Sequence, residues 1–200
     1  MVQSLFTPVG PPGLIALAAG GVMGIVALVA ARRRVAAAGP DKGGRRAARS
    51  IFWIIVQGIG IGLAGAGPIR LDPADWSVAA WAQGAVVALL MLMTIGLFDW
   101  SSRTMGRNWA LVAQTRGDAS LVTTGPFAIV RNPIYVTLFL FMVAMALAYG
   151  HLLNLIVAMP IYAIGTWMLV QHEERVLRAE FGAAYDQYAR RVRRFVPGLL

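Results

Sequence analysis

Chemistry has few places to happen in this chain, which holds no Cys, two His and nine acidic residues among 200. Two clusters gather most of the unusual polar groups. The first is Arg131-Asn132-Pro133. Asn132 reads as a helix N-cap and Pro133 as the first helical residue, because Pro lacks the N–H that a first turn leaves unpaired. Such a start, with Arg131 beside it, attracts a carboxylate or a phosphate; the alternative is a plain helix start with Arg131 anchored among lipid headgroups. The second cluster is Gln171-His172-Glu173-Glu174. Adjacent carboxylates at the end of an apolar run are costly without a partner. They can hold a cation or accept a proton there. The alternatives are an ion pair with Arg131, or the acidic first turn of a following helix. No thiol nucleophile exists, and first-row metal sites need several His or carboxylate ligands together, so a dedicated metal site is not expected.

A third feature is a stripe. Leu177, Phe181, Tyr185, Tyr188, Val192 and Phe195 recur at helical spacing, with Arg175, Arg178, Arg190 and Arg194 largely off it. That pattern predicts an amphipathic tail helix lying on a membrane surface or capping other helices. Tyr185 and Tyr188 are also able to wall a pocket.

These clusters need elements to hold them, and the composition says what kind. The chain is 58% hydrophobic and 14% charged, whereas soluble domains are nearer half apolar and about a quarter charged. Uncharged runs of about 18 residues or more read as membrane spans. Residues 14–31, 51–69 and 76–98 qualify, and 132–171 carries no Asp, Glu, Lys or Arg. That last run is twice the length one span needs. Gly150, His151 and Asn154 mark a turn inside it, so it reads as two helices, 133–149 and 152–170, with Pro160 kinking the second. Residues 1–31 hold no charge, so the start lacks the basic region of a signal peptide and reads as a retained span.

The basic residues orient the spans. Seventeen of the eighteen fall between spans one and two, between three and four, or after five; Arg70 alone falls elsewhere. Positive charge stays cytoplasmic, which predicts a start outside and a cytoplasmic tail in a bacterial inner membrane. The net charge of +9 then reflects topology and contact with anionic lipids. Nucleic acid is not an expected partner, since no aromatic-interleaved platform accompanies the charge. The expectation is an all-α integral membrane protein: about five transmembrane helices and a cytoplasmic amphipathic C-terminal helix. Residues 1–98 form three bland spans, and residues 99–200 carry the polar chemistry.

In combination these pieces become more specific. The run over 121–135 (Leu121-Val122-Thr123-Thr124-Gly125-Pro126-Phe127 through Arg131-Asn132-Pro133-Ile134-Tyr135) is followed by a helical hairpin. Then come Glu173-Glu174, Leu177, Phe181-Gly182, Tyr185, Tyr188 and a closing Arg194-Phe195-Val196-Pro197. This order resembles the isoprenylcysteine carboxyl methyltransferase family over about residues 100–197, and Gly106-Arg107-Asn108-Trp109 resembles a segment common in its bacterial members. Related membrane methyltransferases act on phospholipid amines and small thiols.

The resemblance implies S-adenosylmethionine as methyl donor, bound at the cytoplasmic ends of the last two spans beneath the tail helix. Leu121 and Val122 would line its pocket. Phe127 holds a position usually given to Tyr. Asn132, Pro133, Ile134 and Tyr135 match the family's His/Asn-Pro-x-Tyr segment at the donor, and Glu173 matches a carboxylate contacting it. Gln114 matches a donor-contacting Gln if a short deletion is allowed. Arg131 and Glu174 are the candidate catalytic pair. A helix start with Arg131 suits the donor's carboxylate, Glu173 its ammonium, and Phe127 or Tyr135 its sulfonium. Methyl transfer is a direct displacement, so alignment and exclusion of water suffice. The acceptor is expected to be a lipophilic small molecule or a lipid from the bilayer. The eukaryotic prenylcysteine enzymes carry an Arg four residues before the first Glu of the pair, and Leu169 stands there in this chain. A non-catalytic scaffold or a transporter is the reading from another class.

Overall fold

The computed structural model describes residues 6–37, 45–46, 48–106, 114–115 and 120–196. They form six helices: α1 (Pro11–Ala37), α2 (Ala48–Ala64), α3 (Val78–Met105), α4 (Pro133–Tyr149), α5 (Leu155–Phe181) and α6 (Ala183–Arg191). Two short strands, β1 (Arg45–Arg46) and β2 (Gln114–Thr115), pair antiparallel, with Arg46 opposite Gln114.

Helix ends follow local chemistry. Ser77 caps α3 by accepting from the Ala80 N–H at 3.2 Å. Helix α2 ends at Ala64, short of the expected 69, where Gly65-Ala66-Gly67-Pro68 follows and cannot extend a helix. Between α4 and α5 the chain turns at Gly150, with His151 and a single 3-10 turn (Leu152–Asn154) completing the hairpin. At the other end of α5 the structure departs from expectation. The tail is not one amphipathic helix after the fifth span. Instead α5 runs unbroken from Leu155 to Phe181, Gly182 breaks it at φ +51, and the nine-residue α6 follows. Only a residue without Cβ takes that dihedral cheaply. Helix α6 buries Tyr185 and Tyr188 and exposes Gln187, Arg190 and Arg191.

Among the described residues three helices are long and apolar enough to cross a membrane: Pro11–Ala37, Val78–Met105 and Leu152–Phe181, the last counted with its leading 3-10 turn. The apolar part of α2 (Ile51–Ala64) and α4 (Pro133–Tyr149) are shorter. At 1.5 Å per residue a 17-residue helix rises about 26 Å, against a hydrocarbon thickness of about 30 Å.

Packing explains why α4 tolerates being short. One core cluster joins Leu17 of α1, Val87 and Met91 of α3, and Ala144 and Ala148 of α4. A second joins Ala64 of α2, Met142 and Ala146 of α4, and Ala158 and Tyr162 of α5. Successive even positions of α4 thus serve opposite neighbours, and Ala at three of them lets helices approach from both sides. Helix α4 is a shared wall. By contrast α1, α3 and α5 carry exposed aliphatic residues such as Ile25, Leu92 and Ile156, which are 63%, 57% and 71% exposed.

The hairpin-turn end is tied by the main chain. Thr7 donates its N–H to the Gly150 carbonyl at 3.1 Å, Val9 to Arg70 at 2.9 Å, and Asp72 to Val9 at 3.0 Å. His151, fully buried, donates from Nε2 to the Pro68 carbonyl at 3.2 Å. The polar clusters lie at the opposite end.

Candidate active site

The segment leading into α4 makes a 3-10 turn over Gly125–Ala128, which buries Pro126 and Phe127. The Phe127 carbonyl accepts from the Tyr188 hydroxyl at 2.7 Å, fastening this turn to α6. Beyond it the chain pairs with the tail. Val130 bridges Arg193 in parallel, the Arg131 N–H donates to the Arg193 carbonyl at 2.7 Å, and the Asn132 N–H donates to that of Arg194 at 3.1 Å. Asn132 does stand at the N-cap position of α4, with Pro133 first in the helix, but its side chain caps nothing. The Asn132 side-chain N–H donates to the Arg194 carbonyl at 3.3 Å.

Arg131 reaches inward from this junction. Its guanidinium donates to Glu174 Oε1 at 2.8 Å, to the Ala189 carbonyl at 2.8 Å, and to the Val192 carbonyl. Arg194 grips the same carboxylate with both arms, Nε to Oε1 at 2.9 Å and Nη2 to Oε2 at 2.7 Å. This fork geometry is the strong form of an Arg–carboxylate pair. The side chains of Arg131 and Glu174 are only 11% and 8% exposed, so the charges are largely desolvated and must keep their partners. Arg194 also stacks over Trp167, 4.5 Å from the ring centroid. Tyr185 closes the α6 side. Burial, followed by the nearby Glu174 charge, pushes its phenol up to about 12. Burial also raises Tyr188.

Glu173 has a different environment. One residue along a helix is a turn of about 100°, and that is enough to face α4. The Tyr135 hydroxyl donates to Glu173 Oε1 at 2.7 Å. Among the described residues no arginine reaches this carboxylate. Two neighbouring carboxylates are thus distinguished by their partners: Glu174 is matched by two guanidiniums, and Glu173 by one neutral hydroxyl. The arrangement leaves Glu173 able to receive a cation.

Residues 82–184, more than half of the chain, match the family described as phospholipid methyltransferase. The chain belongs to the phospholipid methyltransferase family. The match runs from α3 into the start of α6 and takes in every residue of the hairpin. With its three long apolar helices, it is a membrane protein of a methyltransferase family. Two curated relatives carry metal-resistance names. The chain is 34% identical over 110 residues to the nickel-cobalt-cadmium resistance protein NccN of Alcaligenes xylosoxydans xylosoxydans, covering 54% of this chain and 51% of the relative. It is 32% identical over 110 residues to the cobalt-zinc-cadmium resistance protein CzcN of Cupriavidus metallidurans, covering 54% of this chain and 50% of the relative. The chain therefore spans about half the length of each.

Members of this family use S-adenosylmethionine, and the residues at the hairpin's polar end fit part of that molecule. Among the described residues Glu173 has no counter-charge, and the neighbouring His172 has a buried Nε2 without a hydrogen-bond partner there. A ligand bearing a cation and further polar groups answers both. The Arg131 guanidinium is already engaged with Glu174 and two carbonyls, although its Nε remains buried and unpaired. Leu121 and Val122 are half-buried ahead of the 3-10 turn, Pro133 is buried, and Ile134 and Tyr135 are half-buried in the first turn of α4. Gln114 stands in β2 opposite Arg46, and β2 packs against α5. No group of three or more His, Asp or Glu that could hold a metal ion occurs among the described residues.

Arg194 and Tyr162 carried no assigned role in the sequence reading, and Tyr188 was read only as a stripe residue able to wall a pocket. Arg194 was visible as part of the closing Arg-Phe-Val-Pro run, but only folding shows that it pairs with Glu174. The Tyr188 link to Phe127 likewise depends on where α6 falls. Tyr162, whose hydroxyl donates to the Tyr135 carbonyl at 2.5 Å, sits mid-helix as one aromatic among many and gave no signal.

Proposed function

We propose that this protein is an integral membrane methyltransferase that takes a methyl group from S-adenosylmethionine and gives it to a lipophilic acceptor, in the manner of the isoprenylcysteine carboxyl methyltransferases. One observation carries the reading. Where the start of α4 faces the far end of α5, Glu173 meets Tyr135 and no cation among the described residues, beside a Glu174 already matched by two arginines. Glu173 receives the donor's ammonium, and the Tyr135 hydroxyl holds that carboxylate in place. The Arg131–Glu174–Arg194 cluster keeps the tail over the first turn of α4, limiting water at the reacting atoms. When bound, S-adenosylmethionine supplies the methyl group to an acceptor lone pair and departs as a neutral thioether.

The chain crosses a bacterial inner membrane five times, beginning outside and ending in the cytoplasm. The seventeen-to-one distribution of basic residues supports this orientation. The buried position of α4 between two clusters supports its crossing despite its length. The polar end then faces the cytoplasm, where the water-soluble donor is, and the acceptor arrives from the bilayer. That acceptor is a phospholipid amine or a small lipophilic thiol. Leu169, 1% exposed, occupies the place of the prenylcysteine enzymes' Arg, and both Arg131 and Arg194 are spent on Glu174.

The test is direct. Purified protein in nanodiscs is titrated with S-adenosylhomocysteine and then assayed for label transfer to lipid-amine, prenyl-thiol and small-thiol acceptors. Binding and transfer to at least one class support the reading. No binding in a folded preparation rejects it in favour of a scaffold. Because the two relatives bear metal-resistance names, growth of a deletion strain on nickel, cobalt and cadmium shows whether the acceptor matters there.

A further inference from the structure

Helix α5 holds Tyr135 at two points. The Tyr135 hydroxyl donates to Glu173 Oε1 at 2.7 Å, and its backbone carbonyl accepts from the Tyr162 hydroxyl at 2.5 Å. Both partners lie on α5, and the eleven residues between them span roughly 16 Å of axis at 1.5 Å per residue. The two contacts leave Tyr135 in opposite directions. Side chains of an α-helix lean toward its N-terminus, and its carbonyls point toward its C-terminus. From the first turn of α4 the phenol therefore reaches the polar end, where Glu173 stands. The carbonyl faces back toward the hairpin turn, where Tyr162 stands.

Packing holds the Tyr162 ring in place for this contact. The residue is 5% exposed and belongs to the cluster that joins α2, α4 and α5. Gly60 of α2 closes one flank, since a Cβ there would lie 2.6 Å from the Tyr162 backbone N and 3.0 Å from its Cβ. Phe139 of α4 lies on another, with ring centroids 6.2 Å apart. Phe at position 162 would fill the same space with no polar atom to satisfy, whereas a phenol buried among apolar groups is costly unless hydrogen-bonded. The Tyr135 carbonyl keeps a second lone pair beyond its helical bond and takes that proton. What the hydroxyl adds is axial. It sets how far along α5 the first turn of α4 stands, and so where the Tyr135 phenol meets Glu173.

We infer that Tyr162 is a positioning residue for the donor site: by holding the Tyr135 carbonyl it fixes the depth at which the Tyr135 hydroxyl presents Glu173 to the donor's ammonium. This rests on the donor reading above. The test uses the full chain in nanodiscs, with Tyr162→Phe made alone and in a Tyr135→Phe background. Gln83→Leu is the control, because Gln83 makes a comparable bond to an α4 carbonyl, that of Leu147 at 2.6 Å, near the other end of the helix. Two quantities are read. One is the dissociation constant for S-adenosylhomocysteine. The other is the fluorine resonance of a ring-fluorinated tyrosine at position 135 in ligand-free protein, which reports the bond to Glu173. Losing one hydrogen bond predicts roughly two- to tenfold weaker binding for Tyr162→Phe. In the Tyr135→Phe background the same change should weaken binding by less than about twofold, as for residues acting through one group. The resonance should move in Tyr162→Phe toward its position in Glu173→Ala and stay in place in Gln83→Leu. The inference is overturned by an unmoved resonance, by unchanged binding, by an equal loss in both backgrounds, or by a Gln83→Leu chain that changes as much. A wild-type chain that binds no S-adenosylhomocysteine sinks the donor reading by itself. The resonance then decides the positioning role: a shift in Tyr162→Phe supports it and an unmoved signal overturns it.

Discussion

Tyr135 and Glu173 meet across the α4–α5 hairpin, with the phenol oxygen 2.7 Å from the carboxylate. Their neighbours along the chain make a different kind of contact, since Glu174 is held between Arg131 and Arg194. A hairpin turning at Gly150 brings both pairs to one level, so a single helical step separates a carboxylate that is fully matched from one that is not.

The unmatched carboxylate should matter for ligand and little for fold. Glu173→Ala is expected to weaken S-adenosylhomocysteine binding by about ten- to a hundredfold, since a hydrogen bond to a charged group contributes roughly 1.5–3 kcal/mol. Melting temperature should barely move. Calorimetry showing an unchanged dissociation constant would remove Glu173 from the donor site.

The matched carboxylate should behave the opposite way. Glu174→Gln leaves two guanidiniums facing a neutral amide, and breaking a buried pair costs about 3–5 kcal/mol. With Arg194 26% exposed, the lower end applies. The tail over 192–196 should then become accessible to protease, and thermal stability should drop. A variant as stable and as protease-resistant as the wild type would show that main-chain pairing with 130–132 suffices.

Alkaline pH probes the α6 side. Tyr185 is raised from 10.0 to about 12 by burial and by Glu174, so the folded chain keeps a proton that the unfolded chain releases. The resulting stability is complete below pH 10 and is lost as pH rises towards 12. Melting curves across that window should fall less steeply for Tyr185→Phe than for the wild type. Parallel curves would mean that Tyr185 titrates normally.

Orientation is open to reporters. A fusion after Leu200 should report the cytoplasm, and an insertion near Asp72 the far side. Both on one side would contradict five crossings.

Acceptor chemistry follows from Leu169. Leu cannot supply the bidentate contact that Arg makes with a carboxylate, so a prenylcysteine analogue should turn over no better as the free acid than as its amide. Lipophilic thiols or lipid amines should turn over faster than either. Methylation of the free acid alone, lost in the amide, would mean that another residue provides the contact.

Much of the hairpin could be read from residue types. Gly150 announced the turn, Asn132-Pro133 the start of α4, and the uncharged run the two helices. What stayed hidden was decided by main-chain partners, which leave no mark on side-chain pattern. The parallel pairing of Val130 with Arg193 is one case. Beside it the Asn132 side chain donates to the Arg194 carbonyl, and the cap that its type and position had promised is not made. The tail stripe was misread as one helix because periodicity continues across Gly182, whereas the backbone there bends at φ +51. Span counting met its limit at α2 and α4, where helix length depends on neighbours as well as on hydropathy.

The ties at the hairpin-turn end have a consequence for how freely this protein can change. Arg70 and Asp72 contribute their carbonyl and N–H to those ties, and nearly any amino acid supplies these groups equally well. Position 150 is the reverse, with φ at +72 and the Thr7 carbonyl 2.3 Å from where a Cβ would sit. Sequence drift across this end is therefore closed at several glycines, since Gly67 sits at φ +125 and a Cβ on Gly10 would lie 2.2 Å from the Asp75 carbonyl oxygen. A library of variants would show positions 10, 67 and 150 as intolerant columns.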